Sequence, residues 1–270
     1  MNKNATAIVQ LGKYGDICNL LPIAKHLNDS GNTPHWVVGI NYMSILAGVD
    51  YVHADPVHFN VTRIKDALGY AQASYGTVLN GQPYGKDYAG PKDDSYNLLA
   101  WKSCGFGEHF DDTNRFPLVF NKRDFDREDF LAEQHGCKKK NEGAPLILLA
   151  IGCARSSPFP SRAVFADAIQ RKHGGRCKIV DLCDVKAARI YDLLGLLERA
   201  SLLITADTYA LHLAAATPML PVVALVNDRP FLSTRPRCRV VLRLKYSEAI
   251  DRMKEVHQAV SEATVVRFGV

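Results

Sequence analysis

Six consecutive apolar residues, Leu146-Ile147-Leu148-Leu149-Ala150-Ile151, leave no face of a strand for water. A half-exposed strand alternates polar with apolar positions. An unbroken run closed by Gly152 belongs to a parallel strand covered on both sides by helices. The pattern recurs at Leu202-Leu203-Ile204-Thr205 and at Val222–Val226, with a further strand over Cys177–Leu182. Helical patterns over about 162–172 and 187–199 separate these runs, and a last amphipathic helix covers about 247–260. Strands that alternate with helices specify a parallel α/β sheet.

The first half of the chain repeats this order. Residues 5–11 predict a strand, followed by the loop Gly12-Lys13-Tyr14-Gly15-Asp16. The next helix places Ile17, Leu20, Leu21, Ala24 and Leu27 on one face and ends at Ser30-Gly31-Asn32. His35–Gly39 predicts a second strand, Tyr42 to Leu46 a short helix, and Val49–Val52 a third strand. Between about 70 and 115 the periodicity fades into Gly, Pro, Tyr and Asp, which reads as a surface loop or as an ordered loop over a cleft. Lys138 to Pro145 is charged, with Gly and Pro at its end, and reads as a linker. The expected architecture is α/β, with two Rossmann-like domains facing across a cleft: residues 1–137, a linker at 138–145, and residues 146–270.

Charge separates the halves. Residues 1–135 hold 12 Lys+Arg against 16 Asp+Glu, and residues 136–270 hold 21 against 12, balances of −4 and +9. The second half is therefore the expected host of a polyanion, either a nucleotide diphosphate or a nucleic acid. The seven cysteines are scattered without a C-x-x-C pair, as expected of buried thiols in a reducing compartment. His53 and His58 flank Asp55 but lack the spacing of a compact zinc module. No apolar run approaches a membrane span and no signal peptide is recognised, so a cytoplasmic location is expected.

Three constellations carry candidate chemistry. In the first, Gly12 and Gly15 allow a tight turn, and Asp16 falls in the first helical turn. There it either stabilises the helix or serves as a general base. The second runs from Gly152 to Arg162, where Ser156 and main-chain N–H groups gather beside Arg155 and Arg162 at a sheet's carboxyl end. Arg155 is the candidate for a diphosphate oxygen, and Arg162 the candidate for a solvated first-turn residue. The third is Asp207-Thr208-Tyr209-Ala210-Leu211-His212, a strand end opening into a small-residue helix. Thr208 and the following N–H groups suit a phosphate, and His212 either donates to it or orients the loop.

Asp207-Thr208-x-x-x-His212-Leu213-Ala214-Ala215, followed by Pro221–Leu225, resembles the donor-domain signature of the heptosyltransferase-like family 9 glycosyltransferases. Gly15-Asp16-Ile17 with Leu21-Pro22-Ile23-Ala24 resembles the family's first loop and helix, whereas residues from about 55 to 140 match little. The resemblance implies the GT-B fold, with the C-terminal helix packing back on the N-terminal domain. It implies inverting, metal-independent transfer of a hexosyl or heptosyl group from a nucleotide-diphosphate sugar, with no cofactor. Asp16 is then the base, and Arg155 and His212 assist the leaving diphosphate. The donor lies against Gly12, Gly15, Gly152, Arg155, Ser156, Asp207, Thr208, Tyr209 and His212. The family's usual Gly-Pro after Asp-Thr is Tyr209-Ala210 here, and the chain is short for the family.

The implied acceptor is a glycan or lipid-linked glycan, which adds the inner membrane face as a peripheral location. A hydroxylated base in DNA, as in phage-type enzymes, and an inactive nucleotide-binding protein are the alternatives. An NAD-dependent oxidoreductase is disfavoured, because Trp36–Ile40 ends without the acidic residue that holds a ribose.

Overall fold

The computed structural model describes residues 2–83, 94–137, 142–152, 157–229 and 234–265. The chain divides into two units, Met1–Arg123 and Asp124–Val270, each built on its own parallel sheet.

The first sheet comprises β1 (Asn2–Val9), β2 (His35–Gly39), β3 (His53–Val57) and β4 (Tyr75–Asn80) in the order β3-β2-β1-β4. All pairs are parallel, with Ala7 opposite both His35 and Val78. Helix α1 (Tyr14–Asp29) buries Ile17, Leu20, Leu21 and Ala24 of the face expected from their spacing, while Leu27 is half-buried. Helix α2 (Ile64–Ser74) packs Ala67 and Ala71 into a cluster with Ala7, Val9, Val37 and Tyr75. The short helix after β2 is a 3-10 segment over Ile40–Gly48.

Two features of this unit differ from expectation. The third strand begins at His53, four residues beyond Val49, and includes Pro56. It is a sheet edge, where a missing N–H is tolerated and one side stays polar, so its sequence carries no apolar run. The region of faded periodicity contains the end of α2, β4 and helix α3 (Tyr96–Ser103). Gly76 of β4 lies so close to Lys3 that a Cβ would sit 1.8 Å from the Lys3 carbonyl oxygen. The glycine that reads as a loop signal is there for strand packing.

The second unit opens with α4 (Phe125–Gln134), whose N-cap Asp124 accepts from the Arg127 N–H at 3.1 Å. Its sheet comprises β5 (Leu146–Ala150), β6 (Lys178–Asp181), β7 (Leu202–Thr205), β8 (Val222–Val226) and β9 (Val240–Lys245), ordered β6-β5-β7-β8-β9 and parallel throughout. The continuous apolar runs are the inner strands β5, β7 and β8, buried along their whole length. Helices α5 (Arg162–His173), α6 (Leu194–Arg199), α7 (Tyr209–Leu213) and α8 (Met253–Val265) connect or follow them.

The division after Arg123 lies ahead of the expected linker at 138–145, of which residues 138–141 fall outside the described residues. Helix α4 joins the second unit because it packs on α6: Asp129 pairs with Arg199, and Glu128 lies against Gly195. The C-terminal helix is built into the second unit's core. Val256 and Val260, one turn apart on α8, enter the second unit's core with Leu244, Tyr246 and Ala249. Through its described length α8 packs on its own sheet. Among the described residues no helix is long and apolar enough to cross a membrane.

Candidate functional site

In an open parallel sheet, ligands bind outside the strand carboxyl ends where the strand order reverses. In the first sheet the order 3-2-1-4 reverses between β1 and β4. In the second, 6-5-7-8-9 reverses between β5 and β7. The loops leaving β1, β5 and β7 are those that carry Gly12–Asp16, Gly152–Arg162 and Asp207–His212. Topology thus brings each sequence-derived constellation to a switch point of its own unit.

In the first unit, the loop after β1 is held by buried amide side chains. Gln10 Nε2 donates to the Gly81 carbonyl at 2.7 Å, and the Leu11 N–H donates to Gln82 Oε1 at 3.2 Å. Gly12 has φ of 140°, a conformation that favours glycine, and a Cβ there would stand 2.2 Å from the Tyr42 ring. That ring meets Tyr14 edge to face at 5.3 Å, and Gly15 lies half-buried in the first turn of α1. Asp16, also half-buried, accepts from the Lys13 N–H at 3.2 Å through Oδ2. It therefore closes the helix start as a first-turn acid should. A carboxylate has capacity for several hydrogen bonds, so this does not preclude a second role. Tyr42 was missed by sequence reasoning, because nothing in the local pattern links it to a glycine 30 positions earlier.

In the second unit, Gly152 follows β5, and a Cβ on it would meet the Arg162 guanidinium carbon at 2.1 Å. The Arg162 guanidinium therefore lies flat over the strand end, paired with Asp181 at the end of β6 at 3.2 Å. Arg162 keeps the exposed first-turn position expected of it and adds the pair with Asp181. Arg155 and Ser156, with Cys153 and Ala154, lie outside the described residues.

Asp207 is buried and binds protein groups. Its carboxylate accepts from the Thr234 N–H at 3.0 Å and from the Thr234 hydroxyl. Its N–H donates to the Tyr246 hydroxyl at 3.1 Å, which in turn donates to the Ser157 carbonyl at 2.9 Å. Asn227 donates to the Ser157 hydroxyl at 2.9 Å. One network thereby ties the ends of β5, β7, β8 and β9 together. Tyr246, its hub, was not singled out from the sequence.

Thr208 is the N-cap of α7, accepting the Ala210 N–H at 3.1 Å, and its own N–H donates to the Ala206 carbonyl at 2.8 Å. The N–H groups of Asp207, Thr208 and Ala210 are thus engaged within the chain. Tyr209 is half-buried at the first position of the five-residue α7. His212 is buried, and desolvation lowers its pKa to about 4, so it is neutral at neutral pH. It can contribute an uncharged imidazole, not a cation. Among the described residues no cluster of three or more His, Cys, Asp or Glu is placed to hold a metal ion.

Solved structures with the same architecture include glycosyltransferases, a family 9 member among them. A family 9 glycosyl transferase from Veillonella parvula aligns over 95% of this chain and 90% of its own, with a TM-score of 0.60 at 14% identity. The E. coli ADP-heptose LPS heptosyltransferase II aligns over 98% and 100%, with 0.56 at 13%. An iron-containing dodecameric glycosyltransferase from enterotoxigenic E. coli aligns over 90% and 64%, with 0.57 at 10%. The chain has the family 9 fold. No family profile matches the sequence, and neither does any curated protein.

Proposed function

We propose that the chain is an inverting, metal-independent glycosyltransferase that moves a sugar from a nucleotide-diphosphate sugar to an acceptor hydroxyl. The acceptor is taken to be a glycan or lipid-linked glycan. In this reading the two units face across a cleft, with the acceptor beside the β1 switch point and the donor beside the β5/β7 switch point. The observation that carries it is positional: the two motifs that resemble the family's, Gly15-Asp16 and Asp207-Thr208-x-x-x-His212, both occupy switch points in a chain with the family's fold.

Asp16 aligns the acceptor hydroxyl and takes its proton. The hydroxyl oxygen bonds to the anomeric carbon from the face opposite the nucleotide, while the bond to the diphosphate breaks. Negative charge then grows on the leaving diphosphate, and a cation beside Gly152 offsets it. Arg155 is the sequence-derived candidate, and Arg162, held over Gly152 by Asp181, is the one the geometry adds. Asp207 acts one step back. It fixes the loop at Thr234 and so the shape of the donor pocket, while His212 supports the same turn as a neutral group.

A thermal-shift screen with ADP-, UDP-, GDP- and CMP-sugars tests the reading. A donor that binds only the folded chain at about 100 times its Kd stabilises it by about 2.7 kcal/mol. Asp16→Asn is expected to keep that shift and to lose transfer by at least about a hundredfold, the contribution of a positioned base. If no nucleotide sugar stabilises the chain, the reading fails. If one does but Asp16→Asn transfers normally, the base is elsewhere.

A further inference from the structure

Edge strand β9 carries a charge pattern that the proposed transfer does not use. From Arg229 to Lys245 the chain has six basic residues, five of them arginine, and no acidic one. Along the strand, Leu242 and Leu244 turn into the core of the second unit. The opposite parity, Arg239, Val241, Arg243 and Lys245, is exposed. Arg235 and Arg237 keep the same every-other spacing in the run that leads into it. Same-side residues of a strand repeat at about 7 Å, so Arg243 and Lys245 stand side by side beyond the register shift that β9 shows between Val240 and Leu242. Arg239, exposed before that shift, extends the basic ridge to about 20 Å.

We infer that the exposed face of β9 is a docking surface for a nucleic-acid backbone. A phosphodiester strand is a linear polyanion with a regular charge spacing, and arginine holds phosphate through paired, planar hydrogen bonds that lysine cannot make. A charged edge strand also deters strand-to-strand aggregation. One or two charges of either sign serve that purpose, and it does not account for a run of one sign. An anionic bilayer is the other surface that attracts cations. A bilayer rewards a broad patch with large apolar groups, and among the described residues the exposed apolar side chains near the line are Val241 and Met219. Met219 is brought in by Arg239, which donates to its carbonyl at 3.4 Å. The ridge fits a strand better than a plane. The inference does not rest on glycosyl transfer and survives its failure.

The test compares the full-length chain with the triple variant Arg239→Gln/Arg243→Gln/Lys245→Gln. Fluorescence anisotropy follows labelled duplex and single-stranded DNA of about 30 units, titrated between about 50 and about 200 mM salt. Wild type is expected to bind with a steep salt dependence. The triple variant is expected to bind at least about tenfold more weakly, with a log–log slope shallower by about 2 to 3, close to one unit for each phosphate it no longer neutralises. The ratio of duplex to single-strand affinity identifies which form docks. An unchanged melting temperature shows that the variant is folded. If it is not, Lys245→Gln alone, at the exposed end of the strand, is expected to lower the slope by about one. The proposal is overturned if wild type binds neither DNA, if the variants bind with wild-type slope, or if wild type binds phosphatidylglycerol-containing vesicles and not DNA.

Discussion

His212 shows how one residue's surroundings reverse the role its type suggests. A histidine at a helix start reads as a phosphate donor, yet burial lowers its pKa from 6.5 to about 4. The fold therefore favours the neutral ring. The unfolded chain takes up a proton as pH falls through 6.5, whereas the native state resists until about 4. Stability from this residue is complete above pH 6.5 and is lost between 6.5 and about 4, by roughly 3 kcal/mol in all. Urea unfolding at neutral pH and near pH 4 should show His212→Asn losing about 3 kcal/mol less than wild type across that window. Equal losses would mean that His212 titrates normally. Among the other candidates, Thr208, which reads as a phosphate ligand, caps α7. The capping role of Asp16 was legible because the carboxylate and the N–H it accepts from lie within three residues. Tyr42 over Gly12 and Tyr246 on Asp207 were not, because each pairing joins distant segments that only folding brings together.

At the scale of elements, burial decided what could be read. Strands β5, β7 and β8 are enclosed on both faces, so their sequences are continuously apolar. The edge strands β3 and β9 keep one side in water, and β3 begins with polar residues. Leu242 to Lys245 does alternate, but Val240 to Leu242 is continuously apolar, and β9 was not foreseen. Helix α8 begins later than its amphipathic pattern suggests and docks on its own unit through Val256 and Val260. A second tie is polar: His173 at the end of α5 lies 3.0 Å, Nε2 to Nδ1, from His257 of α8. Desolvation, the neighbouring ring and the nearby Lys172 and Arg176 lower the His173 pKa to about 4, and that of His257 is also lowered. One ring must donate and the other accept, so a doubly protonated pair repels. Hydrogen exchange in α8, corrected for intrinsic rates, is expected to rise relative to α1 as pH falls from 6.5 to about 4. His257→Gln should flatten that rise. Exchange in α8 that follows α1 at every pH would contradict the tie.

For the whole molecule, the order of strands and helices was sufficient to foresee two parallel α/β units, since the alternation is written twice along the chain. The point of division was harder. The charged segment at 138–145 has a linker's composition, but the division follows Arg123, because α4 packs on α6 by a salt bridge and a close glycine approach about 70 residues away in sequence. The charge asymmetry found in the sequence has a location in the basic exposed face of β9. In the proposed function the β5/β7 switch point of the second unit receives a nucleotide-diphosphate sugar. Backbone amide NMR of the isotopically labelled full chain, titrated with the nucleotide sugars in turn, tests it most directly. The account predicts saturable shifts concentrated at Gly152, Arg162 and Asp207–His212. Shifts confined to residues remote from that switch point, or no saturable shift with any nucleotide sugar, would contradict it.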